Sequence, residues 1–266
     1  MGRWKKLDKL PLAEGVDDDD YLKRLVRAQM HLLRVQQWLA RTNARAIVAI
    51  EGWDAAGKGG LIQRMVFGLE PRSTQVWRIG APTPEEQGKH FLWRFWDRVP
   101  APGNWGVFDR TWYGRVLVER IEGFCSKAEW QRGYREINEF ERTLADSGVR
   151  FIKLLIHVSE EEQRRRMIKR LEKPHKRYKV GLEDFRNIAK RKQYLEAYKD
   201  MLNETDTEQA PWHVIASDDK RHARLAGLKI IADTLGRGVK LTEQELDPEV
   251  ERAAHKLWGW KPKDEK

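Results

Sequence analysis

Glu51-Gly52-Trp53-Asp54-Ala55-Ala56-Gly57-Lys58-Gly59-Gly60 is the stretch that decides how the rest of the chain is read. An apolar run, Ala46-Ile47-Val48-Ala49-Ile50, precedes it and a helical pattern follows. Strand, glycine loop and helix start, in that order, form the setting of a phosphate-binding loop. Gly52, Gly57 and Lys58 fit the spacing G-x-x-x-x-G-K. Glycines let the backbone curl, so that consecutive N–H groups of Gly52, Ala55, Ala56, Gly57, Gly59 and Gly60 can face phosphate oxygens. The helix start adds positive potential. One position departs from the usual loop: residue 59 is Gly, where a Ser or Thr hydroxyl would hold Mg²⁺. Asp54 lies inside the loop instead, and a carboxylate can take over that task because Mg²⁺ prefers hard oxygen ligands.

Outward from the loop, the chain alternates. A helix is expected over 21–41 after Asp17 to Asp20, then a strand over 45–51 and a helix from Lys58 to Leu69 that stops before Pro71. Residues 73–79 read as a strand and 84–99 as a helix with Phe91, Leu92, Phe95 and Trp96 on its apolar side. Strand 105–109, helices 114–123 and 127–146, and strand 150–158 follow. Ser159 with Glu162 has the spacing of a capping box, opening a basic helix that Pro174 ends. Helix 182–203, strand 212–216 and helix 220–235 complete the body, with a short helix around 248–257. Five strands alternating with helices predict an α/β fold, a central parallel five-stranded sheet covered on both faces; with the phosphate loop and the basic segment after the fourth strand it resembles a three-layer, P-loop kinase-like arrangement with a helical basic lid. The expected organisation is a flexible arm over 1–16, a catalytic domain over 17–236 with its lid at about 164–180, and a polar extension over 237–266.

Ligands of such sheets bind beyond the carboxyl ends of the strands. Asp54 and Asp109 both fall at such ends. Phe108-Asp109-Arg110-Thr111-Trp112-Tyr113 places an acid opposite the phosphate loop, the Walker B arrangement in which a carboxylate orients or binds Mg²⁺. Arg110 beside it suits a phosphoryl group held bidentately.

Among the 266 residues, 51 basic and 41 acidic side chains give a formal charge of +10. Much of the excess is local: from Arg164 to Lys179, nine basic residues face one acid, Glu172, for a net +8. So concentrated a charge predicts a clamp for a polyanion rather than a coat for nucleic acid. The single Cys125 rules out an intrachain disulfide and reads as a small buried hydrophobe. No apolar run approaches the ~18–20 residues of a membrane span, and no signal-peptide core follows Met1. The expectation is a soluble cytoplasmic protein without a membrane partner.

Taken jointly, the motifs resemble the polyphosphate kinase 2 family. The matching pieces are Gly52 through Gly59, Phe108 through Tyr113, the lid with Pro174 and Lys176 through Lys179, and Ala210-Pro211-Trp212. The resemblance implies Mg-dependent phosphoryl transfer between inorganic polyphosphate and nucleotides, with Mn²⁺ as an alternative metal and a homodimer or homotetramer as the assembly. It implies that Asp54 and Asp109 manage the metal and that Lys58 and Arg110 hold phosphates. Arg166 and Arg170 would grip the transferring group, and Lys176 and Lys179 the donor chain. Ala81-Pro82-Thr83, Leu92 through Trp96 and Tyr113 through Arg120 are similar to the polyphosphate:AMP phosphotransferase branch, which puts Arg115 among the phosphate-binding residues and favours nucleoside monophosphates (AMP, GMP) over diphosphates (ADP, GDP) as acceptors.

Two other functions compete on the same residues. An ATP-dependent nucleoside or nucleotide kinase shares the sheet and lid, but Gly59, Asp54 and the nine-cation lid favour a longer polyanion. A basic nucleic-acid-binding module could use some of the twelve Trp for stacking. It leaves Asp54 and Asp109 unexplained, since acids repel a phosphate backbone.

Overall fold

Two runs of the chain are apolar on both faces but for Lys153, Ala46–Ile50 and Phe151–Ile156, and such strands suit the inside of a covered parallel sheet. In a computed structural model describing Leu7, residues 15–242 and residues 245–262, they take that place. β1 (Arg45–Gly52) is central, flanked by β3 (Trp105–Asp109) and β4 (Val149–His157). β2 (Thr74–Arg78) and β5 (Trp212–Ala216) form the half-exposed edges. All pairings are parallel, in the order β2-β3-β1-β4-β5. Register aligns Ile50 with Asp109 and Gly52 with Ile156, so the ends of the three central strands come level beside the phosphate loop.

Helices cover the sheet. α1 (Asp18–Thr42), α2 (Lys58–Val66) and α9 (Lys220–Leu235) pack together as one group. α5 (Lys127–Asp146) and α8 (Arg191–Thr205) form another. Beneath α5 lies a buried charge: Lys153 of β4 donates to Glu141 (2.7 Å), the Tyr113 hydroxyl (2.9 Å) and the Thr205 carbonyl (2.7 Å). Glu141 also accepts from the Trp112 indole and the Tyr113 hydroxyl. These bonds fix the turn after β3, a 3-10 turn at Trp112–Arg115, to the sheet. A buried ammonium is tolerated here because its three donors all have acceptors.

Three expected helices come out differently. Over 84–99 only α3 (Trp93–Trp96) is helical. The first turn instead closes on itself: Thr83 N–H donates to the Glu86 carboxylate, Glu86 N–H returns to the Thr83 hydroxyl, and Gly88 turns left-handed (φ 78°). The segment expected over 182–203 is broken at Lys190 into α7 (Leu182–Ala189) and α8. Over 114–123 a 3-10 turn precedes a short α4 (Val118–Glu122). The capping box at α6 (Glu160–Glu172) is half formed: Ser159 accepts from Glu162 N–H, but Asp218 takes the Ser159 N–H and leaves the Glu162 carboxylate free for arginines.

The N-terminal arm expected over 1–16 lies outside the described residues except for Leu7, Gly15 and Val16, and Leu7 is packed into the core. The C-terminal extension carries α10 (Pro248–Trp258), which exposes Val250, Leu257 and Trp258. Among the described residues no helix is long and apolar enough to cross a membrane.

Candidate active site

β1 delivers the chain to the loop, and Trp53 N–H is held by the Ile156 carbonyl of β4 (3.3 Å). Ala55 (φ 61°) and Gly57 (φ 118°) then take positive φ, and α2 begins at Lys58. The Lys58 ammonium folds back across the loop onto the carbonyls of Gly52 (2.6 Å) and Trp53 (3.2 Å). It therefore rests where incoming phosphate oxygens could replace those carbonyls.

Asp54 is the junction of the site. One carboxylate oxygen meets Arg110 (3.3 Å) and the other accepts from the Asn187 amide of α7 (2.8 Å). Burial works to raise its pKa, but Lys58, the Asn187 amide and Arg110 outweigh it and hold the carboxyl below the usual range. Asp54 is thus an ionised hard ligand at neutral pH, which fits a divalent cation. Asp109 ends β3, level with Ile50 of β1. Among the described residues no group of three or more His, Cys, Asp or Glu is placed to hold a metal. A cation bound by Asp54 and Asp109 would draw its remaining ligands from phosphate and water, the habit of Mg²⁺.

Glu51, which motif reading passed over, sets the geometry of Arg110. Its Oε1 accepts from both the N–H and the hydroxyl of Thr111, each at 2.8 Å. This draws the chain leaving β3 over the end of β1, and Arg110 lies in that crossing with φ 65°. Burial pushes the Glu51 carboxyl up, against the pull of Lys58, Thr111 and Arg110. The available signal was an acid placed directly before the loop glycine, at the end of a buried strand.

The lid residues divide. Arg166 is buried, and its five N–H donors all have acceptors: Glu162 (2.6 Å), the loop carbonyls of Ala55 (3.0 Å) and Ala56 (2.7 Å), and the carbonyls of Ser217 and Asp218. Sequence reading expects Arg166 to grip a transferring group; in this structure its donors are turned to protein acceptors instead. Here Arg166 braces the loop through its carbonyls, and Gln163 of the same helix donates to the Asp54 carbonyl (2.9 Å). Arg170, one turn later, donates to the Lys179 carbonyl (3.2 Å) and pins the basic segment. Lys176 and Lys179 sit on a 3-10 turn (Pro174–Lys179), and Lys179 is exposed.

The closing element is α7. Besides Asn187 on Asp54, it is tied by Glu122, a buried carboxylate at the end of α4 that holds Lys190 (2.8 Å) and Arg186 (3.5 Å). Together with the loop, α7 bounds a cavity of about 630 Å³. Glu51, Asp54 and Arg110 line one end, and Ala81, Pro82 and Phe91 also line it. Arg115 lines the cavity too, stacked on Phe91 (4.6 Å) and paired with Glu119 (3.0 Å). Asp54, Arg110 and Arg115 are thus brought to one cavity, whereas Arg166, Lys176 and Lys179 are outside its lining. Cys125 is only half buried, its thiol against the Arg115 carbonyl.

The family model for polyphosphate kinase 2 matches residues 15–242. The chain belongs to the polyphosphate kinase 2 family. It is 42% identical over 234 residues to a polyphosphate:AMP phosphotransferase of Pseudomonas aeruginosa, covering 88% of this chain and 47% of that one. The chain thus spans about half the length of that relative. It is 34% identical over 256 residues to ADP-polyphosphate phosphotransferase 3 of Rhizobium meliloti, covering 94% and 90%. The crystal structure of polyphosphate kinase 2 from Arthrobacter aurescens superposes with a TM-score of 0.83 at 33% identity, covering 92% of this chain and 89% of that one.

Proposed function

We propose that this protein is a Mg²⁺-dependent phosphotransferase that moves a phosphoryl group between inorganic polyphosphate and a nucleotide. The observation that carries the reading is Asp54. An acid inside a phosphate loop is kept ionised between Lys58, Asn187 and Arg110, at the end of a cavity of nucleotide size. The family membership and the names of the relatives support the same chemistry.

In this reading the loop N–H groups and Lys58 cradle the terminal phosphate of the donor chain, and Arg110 spans donor and acceptor. An acceptor phosphate oxygen bonds to the terminal phosphorus while the bond to the next phosphate breaks, leaving a chain one unit shorter. Such transfer needs alignment and charge neutralisation rather than a covalent protein nucleophile. The metal, when bound, neutralises phosphate charge; Asp54 and Asp109 would hold it. The α7 helix excludes water, so the nucleotide rather than water accepts the group.

The acceptor is a nucleoside monophosphate in preference to a diphosphate, since the small Ala81 and the Arg115–Glu119 pair line the cavity. The test is kcat/KM for AMP, GMP, ADP and GDP with one polyphosphate donor, with and without Mg²⁺. Transfer from polyphosphate is expected with metal, with monophosphates ahead. Diphosphates ahead by tenfold would overturn the acceptor choice, and transfer from ATP alone would overturn the function.

A further inference from the structure

α7 is held in place almost without a core. None of its residues is buried, and Leu182 and Phe185 are exposed. α8, which follows it, buries Tyr194, Ala197, Tyr198, Met201 and Leu202. The two helices meet at Lys190, which ends one and opens the other. A segment with so little apolar surface to lose opens at low free-energy cost, so polar ties decide where α7 sits. Yet α7 carries Asn187, the amide that holds Asp54.

Two ties converge on that amide. The first is Tyr194 of α8, whose ring is buried edge-on against Trp53 of the loop, with centroids 6.5 Å apart. Its hydroxyl donates to Asn187 Oδ1 (3.1 Å), which leaves the amide nitrogen for the Asp54 carboxylate at 2.8 Å. An amide has one accepting end, and giving it to the tyrosine fixes which end faces the acid. The second tie is Glu122, at the end of α4. One oxygen of its buried carboxylate takes both Lys190 (2.8 Å) and Arg186 (3.5 Å). These cations stand three residues after Asn187 and one before it, so Glu122 grips α7 on either side of the amide. The other carboxylate oxygen is buried without a partner, an acceptor that a closer Arg186 would satisfy. Neither Glu122 nor Lys190 lines the cavity, so their route to Asp54 is α7 itself.

We propose that Glu122, through Lys190, and Tyr194, through its hydroxyl, are positioning residues for phosphoryl transfer: together they set Asn187 on Asp54 and keep α7 closed over the acceptor. The inference rests on the functional reading above. With Asn187 on one oxygen of Asp54, the plane of the carboxylate is fixed, and the oxygen facing Arg110 at the longer 3.3 Å is the one left for the substrate side. Without the Glu122 tie, α7 swings about Lys190 and water enters beside the phosphoryl group. A water oxygen then bonds to the terminal phosphorus as the bond to the next phosphate breaks, and a proton passes to solvent. The products are inorganic phosphate and a chain one unit shorter, with no nucleotide made.

The experiment uses the full chain with Mg²⁺, long-chain polyphosphate and AMP, and measures nucleotide product against free phosphate. Glu122→Gln keeps the shape of the side chain and removes its charge. It should lower kcat for transfer about tenfold, change KM for either substrate less than about threefold, and raise severalfold the share of phosphoryl groups lost to water. Lys190→Gln, which removes the other half of the pair, should do the same. Tyr194→Phe keeps the ring against Trp53 and loses one hydrogen bond, so it should cost about threefold in kcat. Coupling is the decisive measure: Glu122→Gln/Asn187→Ala should be no slower than Asn187→Ala alone, because Glu122 acts through that amide. In the free protein, hydrogen exchange over α7 should quicken in Glu122→Gln while that of α5 stays as in wild type. Losses that multiply in the double variant, or exchange and phosphate partition both unchanged in Glu122→Gln, overturn the inference while leaving the functional reading intact. A wild-type protein that transfers nothing from polyphosphate to a nucleotide overturns the functional reading and this inference with it.

Discussion

The two sides of the phosphate loop are built on opposite principles. On the cavity side charges are paired: Asp54 with Arg110 and the Asn187 amide, Arg115 with Glu119, and Glu122 with Lys190 and Arg186. On the α6–α9 side, Lys169, Lys220 and Arg224 are unanswered, and the one buried arginine there, Arg166, is spent on loop carbonyls. Paired charges hold a fixed geometry and suit the place where atoms are exchanged. Unpaired cations leave room for a counter-charge from outside the protein. The difference teaches that net charge alone locates nothing: the basic run 164–179 contains both a brace and a surface.

The contrast is most sharply tested on the cavity side. Lys58→Ala and Asp54→Asn should each lower kcat by about 10² to 10³, the usual cost of one preorganised charge contact. Single-turnover rates with matched circular dichroism check this. If either variant changed only the donor KM, the two sides would no longer differ in kind.

Next comes the boundary between them. Arg166→Ala strands four backbone carbonyls and leaves Glu162 with one partner fewer, so it should destabilise the fold by about 3–5 kcal/mol. In a chain of this size the unfolding midpoint should fall by roughly 10 °C. Differential scanning calorimetry reads the shift. An unchanged midpoint with a lost kcat would return Arg166 to the reacting group and restore the lid expectation.

The smallest effect is in pH. Partial burial and then Arg166 pull the Lys220 ammonium down to about 8, with Lys169 of α6 and Arg224 of its own helix adding to this and Glu162 of α6 opposing. A polyanion favours the charged ammonium, so binding takes up a proton, and affinity for long chains should weaken as pH rises above 8. A several-fold rise in KM between pH 7 and 9 is expected, flattened in Lys220→Arg. A profile identical in the two proteins would separate the far side from any titrating lysine.

Much of the fold was legible because apolar runs, glycines and prolines mark it. Strands 105–109 and 212–216 and helices 127–146 and 220–235 fall where periodicity places them. The misses have a common cause, side chains that bond out of register with their own helix. Glu86 turns to Thr83 N–H and to Arg94 and Arg98 instead of extending a helix from Pro84. Lys190 reaches Glu122, 68 residues away in sequence, just where one long helix was expected. In the site, Asp54, Lys58, Asp109 and Arg110 could be read from motifs. Asn187 and Glu122 could not, because their partners lie on other elements. Arg166 was expected to face a transferring group, whereas here it faces the loop carbonyls, since charge says nothing about which way a helix faces.

Gly52 carries a consequence for interpreting mutants. A Cβ there would stand 2.3 Å from the Ile156 carbonyl, in a residue whose φ of 149° already disfavours a side chain. The first glycine of the phosphate motif is thus a hinge pin of the sheet itself. Replacing it with alanine would wedge β1 from β4 before any substrate arrived. An inactive Gly52→Ala protein with a lowered melting temperature would therefore report a sprung frame, and only one that melts like the wild type would speak about phosphate.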